Sequence, residues 1–278
     1  MKFNISLYTA CSLIFLMILM LSGGFSGATS EIIYIFAFVL AMLAGLKLAR
    51  PKPPSEAGEV YQLTPVGYLN FSKKAAKLTA PLIFPAVGAI TLLSFLTSLI
   101  MTAIVGPQSL ADVGDNLFIA VIMHALIPAL LEEGVFRLLP MYLLSGYSRR
   151  VAIGLSAVYF ALVHNSLFAI PYAFFAGIIF IAVDLAADSV WPSVIIHFVN
   201  NFVSILWIFY SAGTGFVIGF SVSLGVLSLL SIGYILLRRK EYVSDFAGLF
   251  VRDEKYTPSY EPLMMIIPSL ILAVASLF

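Results

Sequence analysis

Charge is what this sequence has least of. Asp, Glu, Lys and Arg make up 10% of its 278 residues, whereas 61% are hydrophobic. That balance lies far outside the range of water-soluble domains, so water is not the main solvent of this chain. Neither sign of charge prevails. Fifteen basic against 14 acidic residues leave a formal net charge of +1, and with no bulk field to draw it to a phosphate backbone, nucleic acid is excluded as a partner. Cysteine is nearly absent: Cys11, the single one, lies in an apolar run, can form no internal disulfide and reads as a small core residue. The alternating-polarity segments of about ten residues that build membrane β-barrels are also missing, which leaves helices as the spanning element. No internal repeat is visible, so the usual sequence sign of an inverted-repeat transporter is lacking.

What the sequence has is a series of long apolar runs. Crossing a hydrocarbon core about 30 Å thick takes about 20 helical residues at about 1.5 Å each. Runs that meet this fall at residues 5–25, 31–49, 80–104, 116–144, 151–168, 170–187, 191–212, 216–237 and 261–278. The fold class predicted is all-α, a polytopic transmembrane bundle of eight or nine helices, the count turning on the last run, which Pro262 and Pro268 interrupt. Lys2 ahead of an apolar stretch that ends near Ala28 and Ser30 resembles a signal peptide, but the stretch is long and reads better as an uncleaved span.

Apart from Arg137, every Lys and Arg falls on one side of these spans: Lys2, the group from Lys47 to Lys77, Arg149 and Arg150, and the group from Arg238 to Lys255. The opposite loops, around residues 25–30, 105–115 and 212–215, contain none. The positive-inside rule then describes a multi-pass protein of the cell membrane with a cytoplasmic N-terminus. The loop from Pro51 to Thr79 opens on Pro51-Lys52-Pro53-Pro54 and mixes Leu69 and Phe71 with Lys73, Lys74 and Lys77. It reads equally as a surface helix at the lipid headgroups or as a solvated linker. Three regions follow: N-terminal helices and a basic loop (1–109), a core (110–212), and a C-terminal helix with a peripheral tail (213–278).

Against this background Glu132, Glu133 and Arg137 stand out, because all three fall within one span. An ionised group near a helix centre costs roughly 2.5–3.5 kcal/mol on the insertion scale, so three facing lipid would cost about 8–10 kcal/mol. They must face protein or water. Glu133 and Arg137 are four apart and share a helix face, which allows an ion pair. Glu132 points about 100° away and is left free of that pair. The bland alternative is that all three only tie helices together. Pro128 and Pro140 bracket the acidic pair and free the carbonyls of His124 and Phe136. A kink there is the expected consequence, with the freed carbonyls meeting protein or lining a water-filled cavity.

Two further spans bring histidine to membrane depth, in Phe160-Ala161-Leu162-Val163-His164 and His197-Phe198-Val199-Asn200-Asn201. His197 and Asn201 share a helix face. Counted at about 1.5 Å per residue from the basic ends, Glu132 and His164 lie roughly 20 Å deep, Asn201 about 15 Å and His197 about 9 Å. These four can converge on one cavity, expected to open toward the cytoplasm. His124 reads as a hydrogen-bonded packing residue, and Asp184 and Asp188, near a span end, as caps or water-facing groups.

The set Glu132-Glu133-x-x-x-Arg137, Phe160-x-x-x-His164 and His197-x-x-x-Asn201 resembles the CAAX protease and bacteriocin-processing family of intramembrane glutamic endopeptidases, which includes the type II CAAX prenyl endopeptidases. The resemblance covers about residues 110–205. It implies that Glu132, with His164, activates a water for attack on a peptide carbonyl, and that His197 and Asn201 stabilise the oxyanion. Glu133 and Arg137 then act as supports. It also implies a peptide or lipidated-protein substrate among membrane lipids, with no cofactor and no metal. General-base help is typically worth about 10² to 10⁴ in rate and an oxyanion donor about 10² to 10³.

Other readings stay open. A zinc site of Glu132, His164 and His197 is the nearest enzymatic rival, although the usual His-Glu-x-x-His helix is missing and Asn201 suits a hydrogen-bond donor better than a ligand. A non-catalytic immunity protein or scaffold, or a proton-coupled transporter, would use the same polar residues differently. No residue names the cleavage site: prenylated CAAX ends, pheromones, bacteriocin precursors and membrane-protein tails are all compatible.

Overall fold

A computed structural model of the protein describes residues 28–48, 68–108, 113–144, 149–164, 166–211 and 213–249, together with Ile267, Leu270 and Val274. The expected first span (5–25), the Pro-rich start of the long loop and all but single positions of the last span (261–278) lie outside these residues. The described residues form eight helices and no strand. They are α1 (Ala28–Leu48), α2 (Lys73–Val105), a composite α3, α4 (Arg149–Val163), α5 (Ile170–Ala187), α6 (Trp191–Tyr210), α7 (Thr214–Arg238) and α8 (Lys240–Leu249). Five of them, α2, α3, α5, α6 and α7, are long and apolar enough to cross a membrane. The all-α bundle expected from the sequence is thus observed.

Local chemistry sets the ends of these helices. Ser72 caps α2, its hydroxyl accepting from the backbone N–H of Ala75 at 3.1 Å, as short hydroxyl side chains do at helix starts. Helix α2 therefore begins at Lys73, and Lys73, Lys74 and Lys77 occupy the first turns of a 33-residue helix rather than a surface helix or linker. It ends at Gly106, where φ is +92°, a conformation glycine adopts without strain. Asp188, at φ +53°, closes α5, and its carboxylate pairs with Lys74 at 2.6 Å. Asp184 is buried and accepts from the N–H and Oγ of Ser193 at 2.9 and 2.7 Å, capping the first turn of α6.

Helix α2 is the central post, with α5, α6 and α7 packed around it. Its far flank presents Leu92, Leu96, Leu99, Ile100 and Ile104 outward, the surface expected to face lipid. Among the described helices α4 and α5 share the most extensive contact. Small residues allow this, since a Cβ on Gly177 would lie 2.9 Å from the Cα of Ala157. Helix α4 has 15 residues and stops at Val163, five short of the expected end, so His164 sits in the turn that follows it. α8 lies in the stretch expected to be a peripheral tail. The hydroxyl of its buried Tyr242 donates to the Lys77 carbonyl at 3.2 Å.

Because the Gly177 contact is with backbone, it cannot be relieved by a rotamer change. Gly177→Val is expected to destabilise the bundle by about 1–3 kcal/mol, read as a fall in melting midpoint in detergent. Gly154→Ala, at a position where nothing lies within 4 Å of an added Cβ, should leave the midpoint unchanged.

Candidate active site

Helix α3 is built in five pieces: α-helical Leu117–Val121, Ile127–Glu133 and Leu139–Leu143, joined by π turns at Ile122–Leu126 and Gly134–Leu138. Each π turn closes immediately before a proline. Ile127 N–H bonds the Ile122 carbonyl ahead of Pro128, and Leu139 N–H bonds the Gly134 carbonyl ahead of Pro140. Proline cannot donate, and a wider turn is one way for a helix to accommodate it without breaking. Of the two outcomes expected for a freed carbonyl, the Phe136 carbonyl takes the first and meets protein. It is buried, and accepts from Ser156 Oγ at 2.5 Å and from Arg137 Nη1 at 3.0 Å. The reason is packing: Ser156 of α4 is fully buried against this turn and supplies the donor that the proline removed.

Behind the acidic pair lies a dry ionic cluster. Glu133 and Arg137 are both completely buried and meet at 3.2 Å between Oε2 and Nε. The other oxygen of Glu133 stands 2.7 Å from His197 Nδ1. A carboxylate only accepts, so Nδ1 carries the proton of that bond and Nε2 is the nitrogen turned the other way. The Arg137 guanidinium lies 4.3 Å over the Phe160 ring and 5.5 Å from that of Phe180, so aromatic faces supply part of what water would have given it. Phe180 also stacks on His197, with centroids 5.2 Å apart and planes 24° from parallel. The sequence reading tied Glu133 to Arg137 alone; His197 is its second partner.

Glu132 is placed differently. Its side chain retains 16% exposure where Glu133 has none, and it lines a cavity of about 770 Å³. Tyr34 of α1 donates its hydroxyl to Glu132 Oε1 at 2.6 Å. His197 Nε2 stands 3.9 Å from Glu132 Oε2, so one imidazole spans the space between the two carboxylates. His164, Asn201 and His197 line the same cavity. His164 Nδ1 is 2.9 Å from the Phe160 carbonyl, which accepts its proton and leaves the Nε2 lone pair unused. Asn200 Nδ2 donates to Asn201 Oδ1 at 3.4 Å, leaving the Asn201 amide N–H groups as donors. Among the described residues no hydrogen bond joins Glu132 to His164.

All six residues singled out from sequence thus fall in one region, four on the cavity and two behind it. Sequence reasoning missed Tyr34, which lies on a span with no polar motif, and the aromatic clamp of Phe160 and Phe180. His124, read as a hydrogen-bonded packing residue, is among the residues that line the cavity. From Glu132 the lining runs through Ser94 and Ser98 of α2 and Ser204 and Ile208 of α6 to Val113 and Ser30, away from the Lys- and Arg-bearing ends of the helices. Toward the basic end lie the buried Glu133, Phe136, Arg137 and Tyr159.

Fold and site together define the class, a helical bundle with five helices apolar enough to cross a membrane and a carboxylate and imidazoles held in one cavity. Residues 114–203 match the family described as Type II CAAX prenyl endopeptidase Rce1-like. The match spans α3 to the middle of α6 and includes all three motifs. It supports the resemblance to the CAAX protease and bacteriocin-processing family drawn from those motifs, and that family implies a protease. No curated protein and no solved structure matches the chain.

Removing Arg137 while keeping Glu133 leaves a buried carboxylate without its cation. Arg137→Met is expected to cost about 3–5 kcal/mol, seen as lost folded yield or a lower melting midpoint. The double change with Glu133→Gln keeps an acceptor for His197 and should recover a large part of that loss.

Proposed function

We propose that this protein is an intramembrane endopeptidase in which Glu132 is the general base. One observation carries the reading: of two adjacent carboxylates, Glu133 is sealed in an ionic cluster and Glu132 is the one reachable from the cavity. A water bound between Glu132 and the unused nitrogen of His164 would lose a proton to Glu132 as its oxygen adds to the scissile carbonyl. The resulting tetrahedral oxyanion needs donors; the Asn201 amide supplies one from the facing helix, and His197 supplies a second through Nε2 when its ring carries both protons. An imidazolium at His197 would stand between two carboxylates, its charge matched on both sides. Collapse of the intermediate breaks the C–N bond, and the proton held by Glu132 passes to the leaving amine.

Glu133, Arg137 and the two aromatic rings position His197, and Tyr34 holds the Glu132 carboxyl in one orientation. The catalytic core corresponds to residues 110–212. The substrate is a membrane-associated peptide, with a lipidated CAAX-like C-terminus as the form the family description suggests. The activity is metal-free, with a zinc-dependent peptidase as the rival.

Glu132→Gln preserves shape and should abolish cleavage, a loss of at least about 10² to 10⁴ in turnover for removal of a general base. Unchanged turnover in folded protein would sink the assignment. Activity of the native chain should also survive a strong chelator, and its loss with recovery on adding zinc would favour the metal-dependent version. Tyr34→Phe removes a hydrogen bond to a charged group, worth roughly 1.5–3 kcal/mol. It should lower kcat by about 10- to 100-fold with little change in KM.

A further inference from the structure

Away from the catalytic cavity, α2 and α7 enclose a second space between the start of one helix and the end of the other. Its walls are two stripes, one from Lys77 to Phe84 on α2 and one from Leu227 to Tyr234 on α7, each at the i, i+3, i+4, i+7 spacing of a single helix face. Beyond its inner end the helices touch. Ser228 Oγ donates to the Phe84 carbonyl at 2.7 Å, and a Cβ on Gly88 would collide with that hydroxyl. Toward the basic ends a groove of about 410 Å³ is left between them. Pro81 lies in its wall and leaves the Lys77 carbonyl without a helical donor. Tyr242 of α8 supplies one at 3.2 Å, so the backbone beside the groove is satisfied.

The groove is apolar along its length and polar at one end. Ala80, Pro81, Phe84, Leu227 and Leu230 form most of it, and Lys77 and Tyr234 stand where α2 begins and α7 ends. Among the described residues no Asp or Glu lines it, and the Lys77 ammonium has no ion-pair partner. Arg239 Nε–H donates to the Tyr234 oxygen at 3.3 Å, so the phenol keeps its own proton to give. Arg239 also meets Glu241 at 3.5 Å. Positive charge still prevails there, because Lys77, Arg238, Arg239 and Lys240 outnumber Glu241 and Asp245 of α8.

We propose that this groove binds an anionic phospholipid, its phosphate held by Lys77 and Tyr234 and an acyl chain lying along the two apolar stripes. The site is independent of the proteolytic reading. Both helices are long and apolar enough to cross a membrane, which puts their basic ends at the level of the head groups and Leu229 and Leu237, exposed on α7, among the lipid chains. Lipid tails are as apolar as leucine, so the stripes accept a chain without selecting one. Selection comes from the polar end. A basic pocket between spanning helices suits an anionic head group, whereas a zwitterionic lipid brings an ammonium of its own. A soluble phosphate would leave the stripes unused, and a helix seated in the groove would cover Lys77 with no acid among the lining residues to pair it.

The test uses the full chain purified in a neutral detergent, titrated with dioleoylphosphatidylglycerol or dioleoylphosphatidylcholine and read by native mass spectrometry. The native chain is expected to bind the anionic lipid at least about fivefold more tightly, the value of one basic residue near an anionic surface. Lys77→Gln keeps the backbone carbonyl that Tyr242 uses and should remove the preference. Lys240→Gln takes the same charge from the same end of the bundle, outside the groove, and should leave it. Ala80→Phe obstructs the groove without changing charge and should also remove the preference. Lys77, Ala80 and Lys240 are all exposed, so melting midpoints without added lipid should match that of the native chain. Equal affinity of the native chain for the two lipids would overturn the proposal, as would equal losses in Lys77→Gln and Lys240→Gln. A changed oligomeric state in Ala80→Phe with the lipid preference intact would make the occupant another helix and would overturn it too.

Discussion

The structure depends on the burial of Glu133 and Arg137 inside a hydrocarbon-facing bundle. Neither side chain has any exposure, and each alone would be an uncompensated charge in a medium that solvates charge poorly. Their partners follow from that demand. Glu133 needs more than one donor, and His197 supplies it at 2.7 Å. Arg137 gives one N–H to the carbonyl that Pro140 frees, and its planar face to Phe160. Fixing α3 to α6 through His197, and α3 to α4 through Ser156 and Phe160, makes the cluster a lock for three helices at once.

The same lock creates the asymmetry on which the functional reading rests. Adjacent residues on a helix diverge by about 100°, so drawing Glu133 into the cluster turns Glu132 out of it, toward the cavity and Tyr34. His197 then serves both sides, one nitrogen bound to the sealed carboxylate and the other facing the open one. The two π turns matter because each widens the helix by one residue ahead of a proline, and such turns are frequent at functional sites. They let α3 carry Pro128 and Pro140 on either side of the acidic pair without breaking.

Much of this was legible in the amino-acid order. The ends of α5, at Ile170 and Ala187, coincide with the apolar run read from sequence, because a span must bury about 20 residues whatever its neighbours are. The pairing of Glu133 with Arg137 follows from helical geometry alone. The start of α2 was misread because Lys73, Lys74 and Lys77 suggested the headgroup region, whereas the Ser72 cap extends the helix through them. Tyr34 was invisible for a different reason: a lone Tyr in an apolar span has no motif around it, and its role appears only when α1 is laid against α3.

What the sequence by itself determined is therefore whatever depends on one helix at a time: which stretches are apolar enough to span, where the basic residues bias the ends, and which charged residues are too costly to face lipid. Transfer free energies and the 3.6-residue period act locally, so no partner need be known. Tertiary structure alone decided which imidazole meets which carboxylate, that the Phe136 carbonyl is dry, and that the cavity runs away from the basic face. Those outcomes depend on how far each helix is rotated and raised against its neighbours. That in turn is set by close backbone contacts such as Gly177 on Ala157 and by the π turns of α3, and no spacing within a single span encodes it.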